Sequence, residues 1–139
     1  MIRWTLSLTL VLVWQLNAAK PNFLVIVTDD QRPDTIGALG NPSIDTPNFD
    51  WLVRNGITFE NFICSNPLCV PSRAEILTGC SGFRNGVLGM RGEKMDPKLI
   101  LWPAAMASGG YSAWYSGKWM NDGKPVTRGY HETRALFTG

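Results

Sequence analysis

The chain has 139 residues, 45% of them hydrophobic, and a formal net charge of only +2, a balance that excludes an extended, charge-rich disordered chain. Its thirteen basic residues are scattered among eleven acidic ones and form no stripe, so nothing points to nucleic-acid binding.

Met1 to Ala19 carries one positive charge at Arg3, an apolar run from Trp4 to Trp14, and small residues at Ala18 and Ala19 before Lys20. This is the pattern of a secretory signal peptide. The apolar run falls short of the roughly 20 residues that span a bilayer, and Asn17 departs from the small residue expected three positions before the cut, so a retained anchor, a buried helix or a different cut stand as the rival readings. The expectation is an exported chain, periplasmic or secreted, with no stable membrane association once residues 1–19 are removed. About 120 residues, 20–139, then remain to fold, within the ordinary range of a domain.

Asn22-Phe-Leu-Val-Ile-Val-Thr28 is a continuous apolar run ending abruptly in Asp29-Asp30. It predicts a buried parallel strand with two carboxylates at its C-terminal end, the edge at which open α/β sheets bind ligands. The next predicted element is a helix with Thr46 as N-cap, Pro47 at its first position and Gly56 as its stop. Phe49, Leu52 and Val53 share one face of it. Short extended pieces, Ile57 to Phe59 and Asn61 to Ile63, lead to the cysteine region. A further helix is expected from Ser72 to Thr78, closed by Gly79, with Ser72 and Glu75 forming a capping box. A helix from Trp102 to Ala107 and a strand from Tyr111 to Tyr115 follow. Alternating strands and helices without an internal repeat predict an α/β layer structure. Trp102, Trp114 and Trp119 are read as core residues rather than pocket walls.

Three cysteines, Cys64, Cys69 and Cys80, are an odd number for an exported chain, so simple pairing leaves one over. Spacing leaves a bond between Cys64 and Cys80 open, because it does not fix the geometry a disulfide requires.

Leu68-Cys69-Val70-Pro71-Ser72-Arg73, followed by a short helix and Leu77-Thr78-Gly79, resembles the sulfatase signature. There the cysteine of C-x-P-S-R is oxidised to formylglycine (3-oxoalanine) by a dedicated formylglycine-generating enzyme. The resemblance covers almost the whole mature chain. Pro21-Asn22 through Asp29-Asp30 is similar to the family's opening strand and metal-binding pair, Thr46-Pro47-Asn48-Phe49-Asp50 to its T-P-N-x-D helix start, and Gly117-Lys118-Trp119 to the G-K-W of its second signature. It implies an α/β fold of the alkaline-phosphatase-like kind with a mostly parallel central sheet. It also implies an enzyme that hydrolyses a sulfate monoester with a formylglycine nucleophile and a divalent metal. Cys69, Arg73 and Lys118 take the catalytic positions; Asp29, Asp30 and the modified Cys69 take those of the metal ligands.

Elementary chemistry agrees with those roles. A sulfate ester spreads negative charge over its oxygens, and stabilising that charge needs a cation, fixed basic groups and oriented N–H donors. Paired carboxylates suit a hard cation, Ca²⁺ or Mg²⁺. Taken singly, each feature has a plainer reading: Asp-Asp after a strand is a solvated turn, Lys118 a surface lysine, and a lone cysteine a small buried residue.

The chain departs from the family pattern in two ways. Gly-Lys-Trp is usually followed by a proton-accepting His, and here by Met120, whose thioether accepts no proton. The one histidine, His131, matches no catalytic motif and is read as a surface or hydrogen-bonded residue. Family members also run several times this length and carry a second Asp/Asn metal pair downstream, so the chain is expected to be a truncated N-terminal part. Two rivals therefore stay open: a catalytically inactive remnant, and a phosphoester hydrolase of the same superfamily with a Ser or Thr nucleophile.

Overall fold

The structure, a computed structural model, describes residues 19–137. The expected signal segment lies outside the described residues save for Ala19. Among the described residues no helix is long and apolar enough to cross a membrane.

Helix α1, Pro47–Asn55, starts and stops where Pro47 and Gly56 predict. The Thr46 side chain does not cap it by accepting a backbone N–H of its first turn. Instead the Thr46 hydroxyl donates to Asp50 Oδ1 at 2.7 Å and accepts the Gly37 N–H at 2.8 Å. Asp50 also accepts the Ala38 N–H at 2.9 Å, a bond that holds its carboxyl below the ordinary aspartate range. The T-P-N-x-D segment thus clamps the one-turn 3-10 helix Gly37–Leu39 against α1. Phe49 and Val53 are half-buried, whereas Leu52 is exposed. The expected extended pieces around Phe59 and Phe62 form no strand, and a turn at Glu60 and Asn61 separates them.

Helix α2, Cys69–Thr78, begins three residues before the expected start. Cys69 is therefore its first residue, and Pro71 sits in the first turn, where a missing N–H costs nothing. With the start displaced, Ser72 and Glu75 form no capping box. Glu75 accepts instead from the Ser65 hydroxyl at 2.7 Å and the Gly82 N–H at 3.1 Å. Gly79 closes the helix in the left-handed conformation, φ 64°. A one-turn helix, α3 (Gly82–Asn85), follows. Helix α4, Trp102–Ser108, matches its expected span to within one residue.

Strand β1, Trp114–Lys118, lies three residues beyond the expected Tyr111 to Tyr115. It pairs in parallel with β2, Glu132–Phe137, with an irregularity in register between Ser116 and Gly117. Residues 119–131 supply the crossover of about a dozen residues that a parallel pair requires.

The expectation of a buried strand over Asn22 to Thr28 is corrected. The run is extended but pairs with no strand, and Phe23 to Val27 are all exposed, Leu24 at 85%. A buried parallel strand needs a ladder partner and apolar cover on both faces. The described residues give this run neither. It is tied at its ends, where Lys20 Nζ donates to the Gly109 carbonyl at 2.5 Å, Phe23 meets the Tyr111 ring at 5.9 Å and Asp29 meets Lys118. Between the ties it borders a cavity of about 560 Å³ that separates it from β1 and α2.

The core joins Ala74 and Leu77 of α2 to Val87, Met95, Leu101, Trp119 and Tyr130. Trp119 is core as expected and Trp102 packs on it half-buried, but Trp114 is 65% exposed. The rings of Trp102, Tyr115, Trp119 and Tyr130 meet edge to face, the arrangement that aromatic quadrupoles favour.

Candidate active site

Four residues from three separate stretches converge at the N-terminus of α2. The bend after the 22–28 run presents Asp29, the first residue of α2 is Cys69, its second turn carries Arg73, and the last residue of β1 is Lys118. Lys118 Nζ lies 2.6 Å from Asp29 Oδ2 and 3.8 Å from Cys69 Sγ. Cys69 Sγ lies 3.8 Å from Asp29 Oδ1, and Arg73 Nη2 lies 3.8 Å from Asp29 Oδ2.

Two cations thus face one carboxylate and one thiol. The hydrogen bond from Lys118 holds the Asp29 carboxyl below its ordinary value against the opposing effect of desolvation, and the charges of Lys118 and Arg73 add to that. The same bond raises Lys118. Behind Cys69, the start of α2 adds the positive end of a helix dipole. Pro71 has no N–H and Ser72 donates to the Leu68 carbonyl at 3.0 Å, so the amides left at the helix start are those of Cys69 and Val70.

Asp30 stands apart. It has φ 53°, is exposed, and makes no side-chain hydrogen bond among the described residues. No three acidic, histidine or cysteine side chains gather as a metal cluster among the described residues. Asp29 and Asp30 are hard donors of the right chemistry for Ca²⁺ or Mg²⁺, but Ca²⁺ takes about six to eight oxygens. The described residues therefore fit part of such a shell and do not complete it.

All three cysteines are free thiols, which settles the open pairing of Cys64 with Cys80. His131 lies away from the cluster in its contacts: it is exposed, and its backbone N–H donates to the Ala113 carbonyl at 2.7 Å. Met120 adopts φ 45° directly after Lys118 and Trp119.

Sequence reasoning missed the supports beneath the cluster. The Lys118 carbonyl accepts from Arg73 Nη1 at 3.1 Å and from the Tyr115 hydroxyl. Asp122 pairs with Arg128 and accepts the Met95 N–H at 3.3 Å, while the Trp119 indole donates to the Gly123 carbonyl at 3.1 Å. These contacts shape the loop after β1. No sequence signal marks Tyr115, because its reach to Lys118 depends on the turn at Gly117, φ 105°.

Residues 21–138 match the family model for Sulfatase. The chain is 33% identical over 125 residues to arylsulfatase D of Homo sapiens, an alignment covering 83% of this chain and 21% of that protein. It is 36% identical over 111 residues to the N-acetylgalactosamine-6-sulfatase of Homo sapiens, covering 71% and 21%. To an arylsulfatase of Clostridium perfringens it is 44% identical over 70 residues, covering 50% and 15%. The chain thus spans about a fifth of the length of the curated relatives it matches. With residues 21–138 matching its model, and Cys69, Arg73 and Lys118 gathered beside Asp29, the chain belongs to the sulfatase family, of α/β architecture in the alkaline-phosphatase-like superfamily.

Proposed function

We propose that this chain carries the nucleophile end of a site for hydrolysis of a sulfate monoester. The convergence of Asp29, Cys69, Arg73 and Lys118 supports the reading most strongly. Cys69 is the residue converted to formylglycine by the modifying enzyme during export, with the leader lost near Ala19. In its hydrated form that residue supplies an oxygen nucleophile for sulfur, which a thiol does less well.

Arg73 and Lys118 hold the sulfate oxygens and offset the charge that develops on them, work for which fixed, partly desolvated cations are suited. Their side chains are only 13% and 17% exposed, so little water competes for them. Asp29 keeps Lys118 protonated and aimed at Cys69. Asp29, Asp30 and the modified Cys69 are the proposed ligands of a hard divalent cation, Ca²⁺ or Mg²⁺, which when bound neutralises sulfate charge.

Met120 favours a second reading, a remnant that binds sulfate esters without turnover, because no proton acceptor stands where the family usually has one. An aryl sulfate assay of protein exported alongside the modifying enzyme separates the two. Turnover that falls about 10²–10³-fold in Arg73→Ala and in Lys118→Ala is expected for the catalytic reading. Absence of turnover together with sulfate-ester binding that both substitutions abolish would leave the remnant. Turnover indifferent to both substitutions would sink the site assignment.

A further inference from the structure

We propose that Tyr115 is a positioning residue, whose hydroxyl fixes the Lys118 backbone beside the Arg73 guanidinium and so sets the Lys118 ammonium against Asp29 and Cys69.

The need for such a support is visible in the backbone. Lys118 ends β1, and the backbone leaves regular strand geometry just before it at Gly117, φ 105°, and two residues beyond it at Met120, φ 45°. The strand ladder has one bond left beyond it, from the Trp119 N–H to the Phe137 carbonyl at 3.1 Å. Strand pairing alone therefore does not determine how Lys118 is presented.

Its carbonyl is held from two other directions. Arg73 Nη1 donates to it at 3.1 Å, and the Tyr115 hydroxyl donates to the same oxygen. The Arg73 guanidinium and the Tyr115 hydroxyl therefore meet at this one oxygen. The Lys118 carbonyl is thus held jointly by the phenol and by the other cation of the site.

The ring is rigidly seated. It stands edge-on to Trp119 at 5.0 Å and 87° and to Tyr130 at 5.1 Å and 70°, and both partners are buried core residues. A ring so packed, with only two side-chain torsions, places its hydroxyl at little entropic cost. Burial pushes the phenol above its ordinary value, so it remains a protonated donor at neutral pH. The plainer account makes the hydroxyl merely the satisfied tip of a core ring. That account predicts a general loosening when the hydroxyl is removed, whereas positioning predicts an effect confined to the site.

The test is competitive acetylation of the whole chain at one fixed pH, with each lysine quantified by peptide mass spectrometry. In Tyr115→Phe, Lys118 should react about three- to tenfold faster than in the unsubstituted chain, the factor expected for one lost hydrogen bond. Exposed Lys98 and Lys124 should be unchanged. Tyr130→Phe, which removes a hydroxyl from the same aromatic cluster without touching the Lys118 carbonyl, should alter none of them. An unchanged Lys118 in Tyr115→Phe, or a rise shared by all lysines, would overturn the proposal. Should Tyr115→Phe fail to fold, the ¹³C′ resonance of Lys118 in the unsubstituted chain decides: a downfield position is expected of a doubly bonded carbonyl, and a random-coil position overturns it. Only the consequence for sulfate-ester turnover rests on the function proposed above; the labelling needs no turnover and fails or succeeds separately.

Discussion

Lys118 Nζ and Asp29 Oδ2 meet at 2.6 Å across a sequence separation of 89 residues, and this contact joins the N-terminal run, which pairs with no strand, to the end of β1. Its pH window follows from the two shifts. The Asp29 carboxyl is lowered, so its contribution is present above the ordinary value of 3.8 and is lost as pH falls through the lowered one. The Lys118 ammonium is raised, so its contribution is present below 10.5 and is lost as pH rises through the raised value. A ¹³C-carboxyl titration should give Asp29 a midpoint below 3.8 that moves back up in Lys118→Met. A midpoint at or above 3.8 in the unsubstituted chain would mean that the pair does not form.

Gly129 marks a second close approach, between the crossover loop and α4. Its φ is 97°, and a Cβ there would lie 2.5 Å from the Ala104 N and 2.8 Å from the Ala104 Cα. Backbone cannot swing away as a side chain can. Gly129→Ala should destabilise the fold by about 2–4 kcal/mol, combining left-handed strain with overpacking. Gly40→Ala, at φ 108° but with nothing within 4 Å, should cost about 1–2 kcal/mol. Urea denaturation of the two variants checks the difference, and equal losses would show that steric contact with α4 adds nothing.

What the sequence revealed about the site was its membership, because C-x-P-S-R, Asp29-Asp30 and Gly117-Lys118-Trp119 are short local patterns whose residues need only be read. Helix stops at Gly56 and Gly79 were legible for the same reason, each being a local backbone signal. The start of α2 was not. Ser72 followed by Glu75 imitates a capping box, but Pro71 is tolerated in a first turn, and the helix begins at Cys69 instead. The run from Phe23 to Val27 reads as buried strand because apolar periodicity reports what a segment would gain from cover, not whether cover is present. Tyr115 was invisible because its contact with Lys118 arises from an irregular strand end, which no propensity describes.

Met120 sits where the family pattern usually has a proton acceptor, and its φ of 45° is one that histidine adopts more readily than most side chains. Met120→His should therefore be accommodated without loss of fold. In the longest polypeptide that contains this segment, aryl sulfate turnover should rise at least about tenfold, toward the roughly 10²–10⁴-fold contribution of a positioned acid–base group. Steady-state rates of the two forms after equal formylglycine loading are the measurement. Equal rates would assign the proton transfer to another residue and remove the case for a remnant.

Cys69 should be the one cysteine converted to formylglycine when the chain is exported in a host that has the modifying enzyme. The resemblance implies that modification depends on the short linear context around the cysteine, and Pro71 and Arg73 stand at the spacing this requires. Neither Met120 nor the chain's length should then prevent it. The three cysteines also differ in setting. Cys64 is exposed in an irregular segment, Cys80 is half-buried with its Sγ on the Thr78 carbonyl at 3.5 Å, and Cys69 opens α2 beside Lys118. The tryptic peptide ending at Arg73 should show sulfur lost and oxygen gained at Cys69, and a hydrazide should trap the aldehyde. Pro71→Ala and Arg73→Ala should each cut the conversion sharply, whereas Cys64→Ser and Cys80→Ser should leave it intact, since no disulfide links either residue to the site. A Cys69 that stays a thiol under those conditions, or that is recovered in a disulfide, would remove the nucleophile from the proposed reaction and leave Arg73 and Lys118 as an anion site without chemistry.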